Sequence, residues 1–316
     1  MKLIIAFFRL TRWPNLLFIV ITQILFYSCV YLPLLHAQTS NPTQHQTLFI
    51  LLCVASVCIA AAGYIINDYF DIKIDIVNKP DKIIVNKIIK RRWAIVWHFI
   101  LSTIGILLSI YIGYTLHEWI VISINFLCVI ALWFYSTTFK RKLLSGNIII
   151  AALTAWVILV VYFFVGAEIF SLKGWYNASN NFNSSKLFKI TMVYAAFAFI
   201  TTLIREVVKD LEDMDGDRKY HCNTMPIAWG VPAAKVFTAV WLCVTIAALA
   251  VIQLYAWQLG YWLAAVYLLV LVIAPAIVII YKLSKAYTVA HYHTISNWVK
   301  LLMLFGILSM LFFKFM

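Results

Sequence analysis

Apolar runs of about 20 residues recur along the whole chain and are separated by shorter polar segments. A run of this length is what an α-helix needs to cross the roughly 30 Å hydrocarbon core of a bilayer. A helix also satisfies its backbone hydrogen bonds internally, as lipid requires. The pattern therefore predicts an all-α, polytopic membrane bundle. The nine predicted spans are about 15–35, 47–67, 93–115, 118–136, 146–167, 187–205, 233–255, 259–281 and 296–313.

The composition agrees with this pattern. The chain has 316 residues, is 64% hydrophobic and has a mean hydropathy of +0.93, whereas soluble domains are about 45–50% apolar. We expect one integral-membrane domain over residues 1–316. Basic residues Lys2, Arg9 and Arg12 precede the first apolar run, but no small-residue cleavage site follows it, so no cleavable signal is expected.

The basic residues predict the orientation in the membrane. If the N-terminus lies in the cytoplasm, 21 of the 25 Lys and Arg residues fall in cytoplasmic segments and four fall outside. This asymmetry is typical of the positive-inside rule. It also favours nine spans, because eight or ten would place a basic cluster outside. We therefore predict a plasma-membrane protein whose N-terminus lies in the cytoplasm.

Two acidic stretches share the pattern D-x-x-D-x-x-x-D. The chain has only 12 acidic residues, and most of them lie in these stretches. At 100° per residue, the three carboxylates of a helical stretch fall within about 60° of arc, on one face. The two trios are Asp68, Asp71 and Asp75, and Asp210, Asp213 and Asp217.

The acidic stretches also indicate an internal repeat. Each follows an even-numbered predicted span on the cytoplasmic side, and they lie 142 residues apart. This predicts two four-helix halves, about 1–136 and 137–281, followed by an extra helix at 296–313. Such repeats place a site at their interface.

Carboxylates gathered in this way need positive charge to offset their repulsion. No His or Cys cluster at ligand spacing accompanies them, and oxygen-only ligands suit Mg²⁺ together with substrate phosphates. Basic side chains near the trios are candidates to bind phosphate oxygens. The positive-inside rule and anionic lipids explain most other Lys and Arg residues. The basic candidates are Lys79, Lys82, Lys140, Arg205 and Lys209.

At this point the motifs resemble those of a known family, the UbiA superfamily of membrane prenyltransferases. The first motif is N-D-x-x-D-x-x-x-D at 67–75, followed by N-K-P-D-K at 78–82. The second is R-E-x-x-K-D-x-E-D-x-x-G-D-R-K at 205–219. An R-x-P-N segment at 12–15 and a Y-S…K-R…G-N element at 135–147 also match. The resemblance covers the chain from the first span to the second motif.

The first motif departs from the family pattern in its loop. Lys79 and Lys82 stand where the family usually has Arg, and I-I-V-N-K at 83–87 replaces the usual P-I-x-S-G. Lysine keeps the positive charge but loses the bidentate fork of arginine.

The resemblance implies transfer of a prenyl group from an isoprenyl diphosphate bound with Mg²⁺ between the acidic motifs. It assigns Asn67 and the first trio to one metal ion and the second trio to another. Lys79, Lys82, Lys140, Arg205 and Lys209 become candidates for diphosphate or acceptor contacts. Asn15 and Asn147 are expected near the cavity mouth. Membrane lipids are expected partners and nucleic acid is not.

The acceptor is less constrained by the resemblance. The second motif looks most like the branch that alkylates geranylgeranylglyceryl phosphate, and a phosphate-bearing acceptor would suit its extra basic residues. Aromatic acceptors, such as quinone or tetrapyrrole precursors, are the alternative. A cation-coupled transporter would place acids near span centres. A CDP-alcohol phosphotransferase would need a D-G-x-x-A-R continuation, which is absent after Asp215 and Gly216.

Overall fold

The structure is a computed structural model that describes residues 2–35, 42–80, 83–170 and 184–314. All regular structure in these ranges is helical, apart from one isolated bridge between Val85 and Ile89. Nine helices within them are long and apolar enough to cross a membrane. The predicted all-α architecture and the count of nine spans are therefore confirmed.

Seven α-helices lie in the described residues of the first part of the chain. A π-helical turn, Phe26–Tyr31, joins α2 to α3, so these elements form one membrane-spanning helix. The helices are α1 (Lys2–Leu10), α2 (Trp13–Leu25), α3 (Leu32–Leu35), α4 (Pro42–Asn78), α5 (Arg91–Leu116), α6 (Trp119–Thr137) and α7 (Ser145–Phe170).

Seven more lie in the described residues of the second part. A second π-helical turn, Leu268–Ile273, joins two helices into one span, and a 3₁₀ segment, Ser309–Lys314, extends the last helix. The helices are α8 (Ser184–Glu212), α9 (Met214–Lys219), α10 (Met225–Ala228), α11 (Val231–Gln258), α12 (Trp262–Tyr267), α13 (Ala274–Lys285) and α14 (Val289–Leu308).

Three membrane helices extend seven or more residues beyond their predicted ends. α4 continues from the expected end near residue 67 to Asn78, and α8 continues from about 205 to Glu212. α14 begins at Val289, where the Thr288 hydroxyl accepts a hydrogen bond from the backbone N–H of His291. Hydropathy marks only the apolar core of a span, whereas backbone hydrogen bonding continues into polar sequence. Both acidic stretches therefore begin on extensions of membrane helices.

The chain divides into two compact units. The first comprises Met1–Phe139 and Trp156–Met192. Buried polar side chains connect its helices, as is common where helices pack in lipid. Nε2 of Gln23 donates to the Ser56 hydroxyl at 2.9 Å. Asn125 donates to Ser109 at 2.8 Å and accepts from the Trp156 indole at 2.8 Å.

The second unit comprises Lys140–Ala155 and Val193–Met316. The hydroxyls of Tyr194 and Ser309 lie 2.7 Å apart, and the Tyr267 hydroxyl donates to the carbonyl of Phe305 at 2.9 Å. Gly306 allows the Phe197 ring to lie against the last helix, where any Cβ would collide with it. These contacts hold α8, α12 and α14 together.

Candidate active site

The first acidic stretch lies on the last turns of α4. Asn67 and Asp71 are buried, with 9% and 4% of their surface exposed. Nδ2 of Asn67 donates a 2.7 Å hydrogen bond to Oδ2 of Asp71, because residues four apart share a helix face. Oδ1 of Asn67 is buried and has no hydrogen-bond partner among the described residues. The pair therefore leaves one amide oxygen available as a ligand beside a carboxylate.

Arg12 links the N-terminal part of the chain to α4. It adopts a left-handed backbone conformation, with φ 51°, between α1 and α2. Its Nη2 lies 2.6 Å from Oδ1 of Asp68, and its guanidinium carbon lies 5.2 Å from the Tyr64 ring centre. Burial opposes the charged form, but the charge and hydrogen bond of Asp68, together with Tyr64 and Asp71, outweigh it and raise the pKa of Arg12. Arg12 thus remains a cation that pairs with one carboxylate oxygen of the first trio.

Sequence reasoning did not identify Arg12 as a site residue. The R-x-P-N pattern contained it, but a basic residue ahead of a span is equally explained by the positive-inside rule. Asn15, which was predicted, lies in the first turn of α2, and its backbone N–H donates to the carbonyl of Arg12 at 2.8 Å. The two residues therefore belong to one turn.

A buried apolar cluster anchors this end of α4. It joins α1, α4, the start of α5 and the loop that precedes α5, and the ring of Tyr69 packs against it. The guanidinium carbon of Arg91 lies 4.7 Å from the centre of that ring. The cluster consists of Ala6, Leu10, Ile65, Val85, Ile89 and Ala94.

The basic part of the first motif begins where α4 ends. The backbone N–H of Lys79 donates to the carbonyl of Asp75 at 2.8 Å, which places Lys79 one turn beyond the third acid. Nζ of Lys87 donates to the carbonyl of Pro80 at 2.6 Å. Lys82, the other predicted phosphate ligand of this loop, lies outside the described residues.

The second acidic stretch begins on the last turn of α8. Nδ2 of Asn147, near the start of α7, donates a 2.7 Å hydrogen bond to Oδ2 of Asp210. Asn147 is 8% exposed, so the bond forms in a largely dehydrated setting. The structure thus brings together two residues that the sequence had predicted separately.

The second trio does not lie on one continuous helix. α8 ends at Glu212, and Asp213 has φ −99° and ψ 11°, which is outside the helical range. Asp217 lies on α9, where it is 6% exposed. Its carbonyl accepts a 2.9 Å hydrogen bond from the N–H of Cys222, which folds the following loop back. The predicted placement of three carboxylates on one helix face therefore applies only to the first stretch.

Glu206 holds two of the predicted basic residues. Nη1 of Arg205 and Nζ of Lys209 each lie 3.0 Å from a carboxylate oxygen of Glu206. Nε of Arg205 is buried and has no hydrogen-bond partner among the described residues. An Arg and a Lys fixed on one carboxylate still present N–H groups to an anion. Sequence reasoning did not assign a role to Glu206.

Two further contacts involve Glu212 and the loop that follows the second acidic stretch. Lys140 lies in a 3₁₀ turn, Phe139–Arg141, and the carbonyl of Arg141 accepts a 2.8 Å hydrogen bond from the N–H of Asn223. Nδ1 of His293, on α14, lies 3.0 Å from Oε1 of Glu212. Within the described ranges, no three His, Cys, Asp or Glu side chains form a ready-made metal site.

Comparisons with known proteins show which family the chain resembles. A family model described as the UbiA prenyltransferase family matches residues 24–298. Digeranylgeranylglyceryl phosphate synthase of Methanosphaera stadtmanae is 30% identical over 263 residues, which cover 82% of this chain and 86% of that protein.

Two solved structures share the fold. One comes from work on digeranylgeranylglyceryl phosphate synthase in membranes; it has a TM-score of 0.63, 22% identity and 100% coverage of both chains. The other is a UbiA homologue from Archaeoglobus fulgidus bound to GPP and Mg²⁺, with a TM-score of 0.59, 14% identity and coverage of 96% and 99%. Since the family model matches most of its length, the chain belongs to the UbiA prenyltransferase family.

Proposed function

We propose that this protein transfers an isoprenyl group from an isoprenyl diphosphate to geranylgeranylglyceryl phosphate or a closely similar lipid, with Mg²⁺ as cofactor. The observation that carries the proposal is the 30% identity with a digeranylgeranylglyceryl phosphate synthase along 82% of the chain. The basic residues of the second motif give a phosphate-bearing acceptor a chemical rationale.

The residues present fit Mg²⁺. This ion prefers oxygen ligands, and it commonly takes one or two carboxylates while waters and substrate phosphates complete its shell. Asn67 offers a buried oxygen without a partner in the described chain, beside Asp71. Arg12 contacts Oδ1 of Asp68, so that contact leaves Oδ2 for a ligand. A site that needs substrate phosphates also accounts for the lack of three converging acids among the described residues.

We assign each acidic set to the metal ions that accompany the diphosphate. Bound Mg²⁺ would supply positive charge to stabilise the leaving diphosphate. The first set comprises Asn67, Asp68, Asp71 and Asp75, and the second comprises Asp210, Asp213 and Asp217.

Basic and amide side chains complete the proposed site. Arg205 and Lys209, fixed on Glu206, offer cationic N–H groups to phosphate oxygens. Asn147 orients Asp210 as an amide partner of a proposed metal ligand. The remaining proposed substrate contacts are Asn15, Lys79, Lys82 and Lys140.

The reaction balances without a further reagent. The bond between the allylic carbon and the diphosphate oxygen breaks, and diphosphate leaves with the bonding electrons. A hydroxyl oxygen of the acceptor forms the new carbon–oxygen bond and releases its proton. The apolar tails of both substrates remain in lipid, which is consistent with an enzyme built from membrane helices.

We also propose that the acidic motifs face the cytoplasm and that the protein resides in the plasma membrane. The uneven division of Lys and Arg supports this orientation. Labelling of cysteines introduced singly at Lys142 and Leu259 in intact cells tests it. A membrane-impermeant reagent should label the Leu259 position and leave the Lys142 position unmodified; the reverse result would invert the orientation.

An acceptor panel tests the proposed function. Purified protein in detergent receives labelled geranylgeranyl diphosphate, Mg²⁺ and one acceptor at a time: geranylgeranylglyceryl phosphate, 4-hydroxybenzoate, a naphthoate or a tetrapyrrole. Ether product from the glyceryl phosphate, and little from the others, is expected. Product from an aromatic acceptor alone would replace the lipid assignment. Ion-driven uptake by the protein reconstituted in lipid vesicles, without prenyl transfer, would overturn the assignment as an enzyme.

A further inference from the structure

A cavity of about 320 Å³ lies between α5 and α6 in the first unit. His98 and Ser102 line it from α5, and both aliphatic and aromatic side chains line it from α6. Two of the lining residues, Phe99 and Phe134, are 55% and 51% exposed, so the cavity opens on the surface of the helices. Its volume is in the range of pockets that hold small molecules, about 300–1,000 Å³.

Ser102 lines this cavity and carries an unsatisfied hydroxyl, which is buried beside it. Its side chain is buried, at 5% exposure, and Oγ has no hydrogen-bond partner among the described residues. Serines in membrane helices usually bond to the carbonyl four residues earlier. Ser109 on α5 and Ser136 on α6 do so, at 2.8 and 2.9 Å. Since a buried hydroxyl without a partner is unfavourable, Ser102 is suited to receive a ligand.

His98 adds an acceptor one turn away. Its Nδ1 lies 3.0 Å from the carbonyl oxygen of Ala62. A carbonyl only accepts, so Nδ1 carries the hydrogen, and in the neutral ring Nε2 is then an acceptor. This tautomer is assigned from the hydrogen bond. His98 and Ser102 are four residues apart and so share a helix face. Together they offer one acceptor and one donor.

The residues around the cavity indicate which kind of ligand it can bind. Trp93 and Trp97, which precede the cavity on α5, are 57% and 36% exposed, as is typical of the interfacial aromatic belt. Further along the helix, Ile104 and Leu107 are 41% and 60% exposed. A ligand here has its polar group one or two turns below the interface and its apolar tail against lipid-exposed side chains.

We propose that this cavity binds a membrane-soluble alcohol, whose hydroxyl donates to Nε2 of His98 and accepts from Ser102 while an apolar tail extends along α5 and α6. The walls contribute aromatic contact, since the ring centres of His98 and Trp133 lie 5.5 Å apart and those of Phe99 and Trp133 lie 6.1 Å apart. None of the acids assigned to Mg²⁺ lines the cavity. The site therefore stands apart from the proposed transfer reaction.

Photoaffinity labelling of the full chain in detergent tests this site. The probe is geranylgeraniol that carries a diazirine, and labelled peptides are mapped by mass spectrometry. We expect labels on peptides from α5 and α6. Unlabelled geranylgeraniol should compete about tenfold better than its methyl ether or the corresponding hydrocarbon, as one hydrogen bond allows. Excess geranylgeranyl diphosphate with Mg²⁺ should leave the labels in place, which separates this site from the proposed donor site.

Two substitutions and one control complete the test. Ser102→Leu fills the cavity and should remove the label, whereas Ser102→Ala should keep it but reduce the preference for the alcohol over the hydrocarbon to about threefold or less. Ile110→Ala, on the exposed side of α5, should change neither result. Competition by the ether and the hydrocarbon equal to that by the alcohol would mean nonspecific lipid contact and overturn the proposal. Undiminished labelling of Ser102→Leu, or an unchanged preference for the alcohol over the hydrocarbon in Ser102→Ala if the Leu variant does not fold, would also overturn it.

Discussion

Asn147 donates a 2.7 Å hydrogen bond to Asp210, from which it is separated by 63 positions along the chain. The first unit contains a similar pair, in which Asn67 donates to Asp71 at the same distance. In each unit an amide fixes one oxygen of a carboxylate that we propose as a metal ligand. Partners of this kind set the orientation of a ligand and its affinity for metal.

Replacement of Asn147 by Leu should lower activity by about 10–100-fold, the range typical for loss of a partner that orients a metal ligand. The loss should appear mainly as a higher Mg²⁺ requirement, because Asp210 no longer has a fixed orientation. Turnover measured over a series of Mg²⁺ concentrations checks this. Gln258→Leu, an exposed amide at the end of α11, is the matched control and should behave as the wild type.

Chelation of divalent cations should abolish transfer, and added Mg²⁺ should restore it. Asp71→Asn should reduce the rate by more than about 100-fold, since it removes a charge from the proposed ligand set while it retains the size of the side chain. Asp215→Asn provides the matched control, because Asp215 is exposed and lies outside the trio. Similar rates for the Asp71 and Asp215 variants would contradict the metal assignment.

Arg12 and Asp68 should be energetically coupled. The double-mutant cycle of Arg12→Gln and Asp68→Asn should give non-additive losses of stability, with a coupling of about 1 kcal/mol. The pair is partly exposed, with 36% and 20% of the side chains accessible, so a larger value is not expected. Thermal unfolding in detergent provides the measurement. Arg9→Gln, an exposed basic residue of α1, should give simple additivity with Asp68→Asn.

Gly113→Ala should destabilise the first unit. A Cβ at this position would collide with the Ile122 side chain and would lie 2.8 Å from the carbonyl oxygen of Glu118. A backbone atom cannot move aside as a side chain does, so a cost of about 1–3 kcal/mol is expected. A fall in the unfolding midpoint, compared with Leu107→Ala on the exposed side of the same helix, checks this. An unchanged midpoint would show that the turn relaxes.

Hydropathy located the nine spans because each apolar core is long and uninterrupted. It could not locate the ends, since α4 continues through Asn67–Asp75 on backbone hydrogen bonds that hydropathy does not measure. Nor did spacing alone reveal the break at Asp213, where the backbone leaves the helical range. That break separates Asp210 from Asp217 along two helices.

The sequence also could not predict contacts between residues that are distant along the chain. The sequence predicted Asn147 and Asp210 as separate candidates, but their hydrogen bond follows from packing of α7 on α8. Arg12 and Asp68 are 56 positions apart and meet only because α1 is anchored against α4. Glu206 passed unnoticed because its importance depends on the two cations that it holds. The metal, diphosphate and acceptor roles themselves remain predictions.

The length of α4 has a consequence for how an amphiphilic substrate is handled. Its 37 residues extend for about 56 Å, nearly twice the hydrocarbon thickness of a bilayer. The helix is therefore long enough to cross the apolar layer and continue beyond it, with its carboxylates on the segment that follows the apolar span. A diphosphate with a long tail can lie parallel to that helix, its head in a hydrated zone and its chain never withdrawn from the bilayer. The apolar tail therefore need not pass through water for the head to reach the carboxylates.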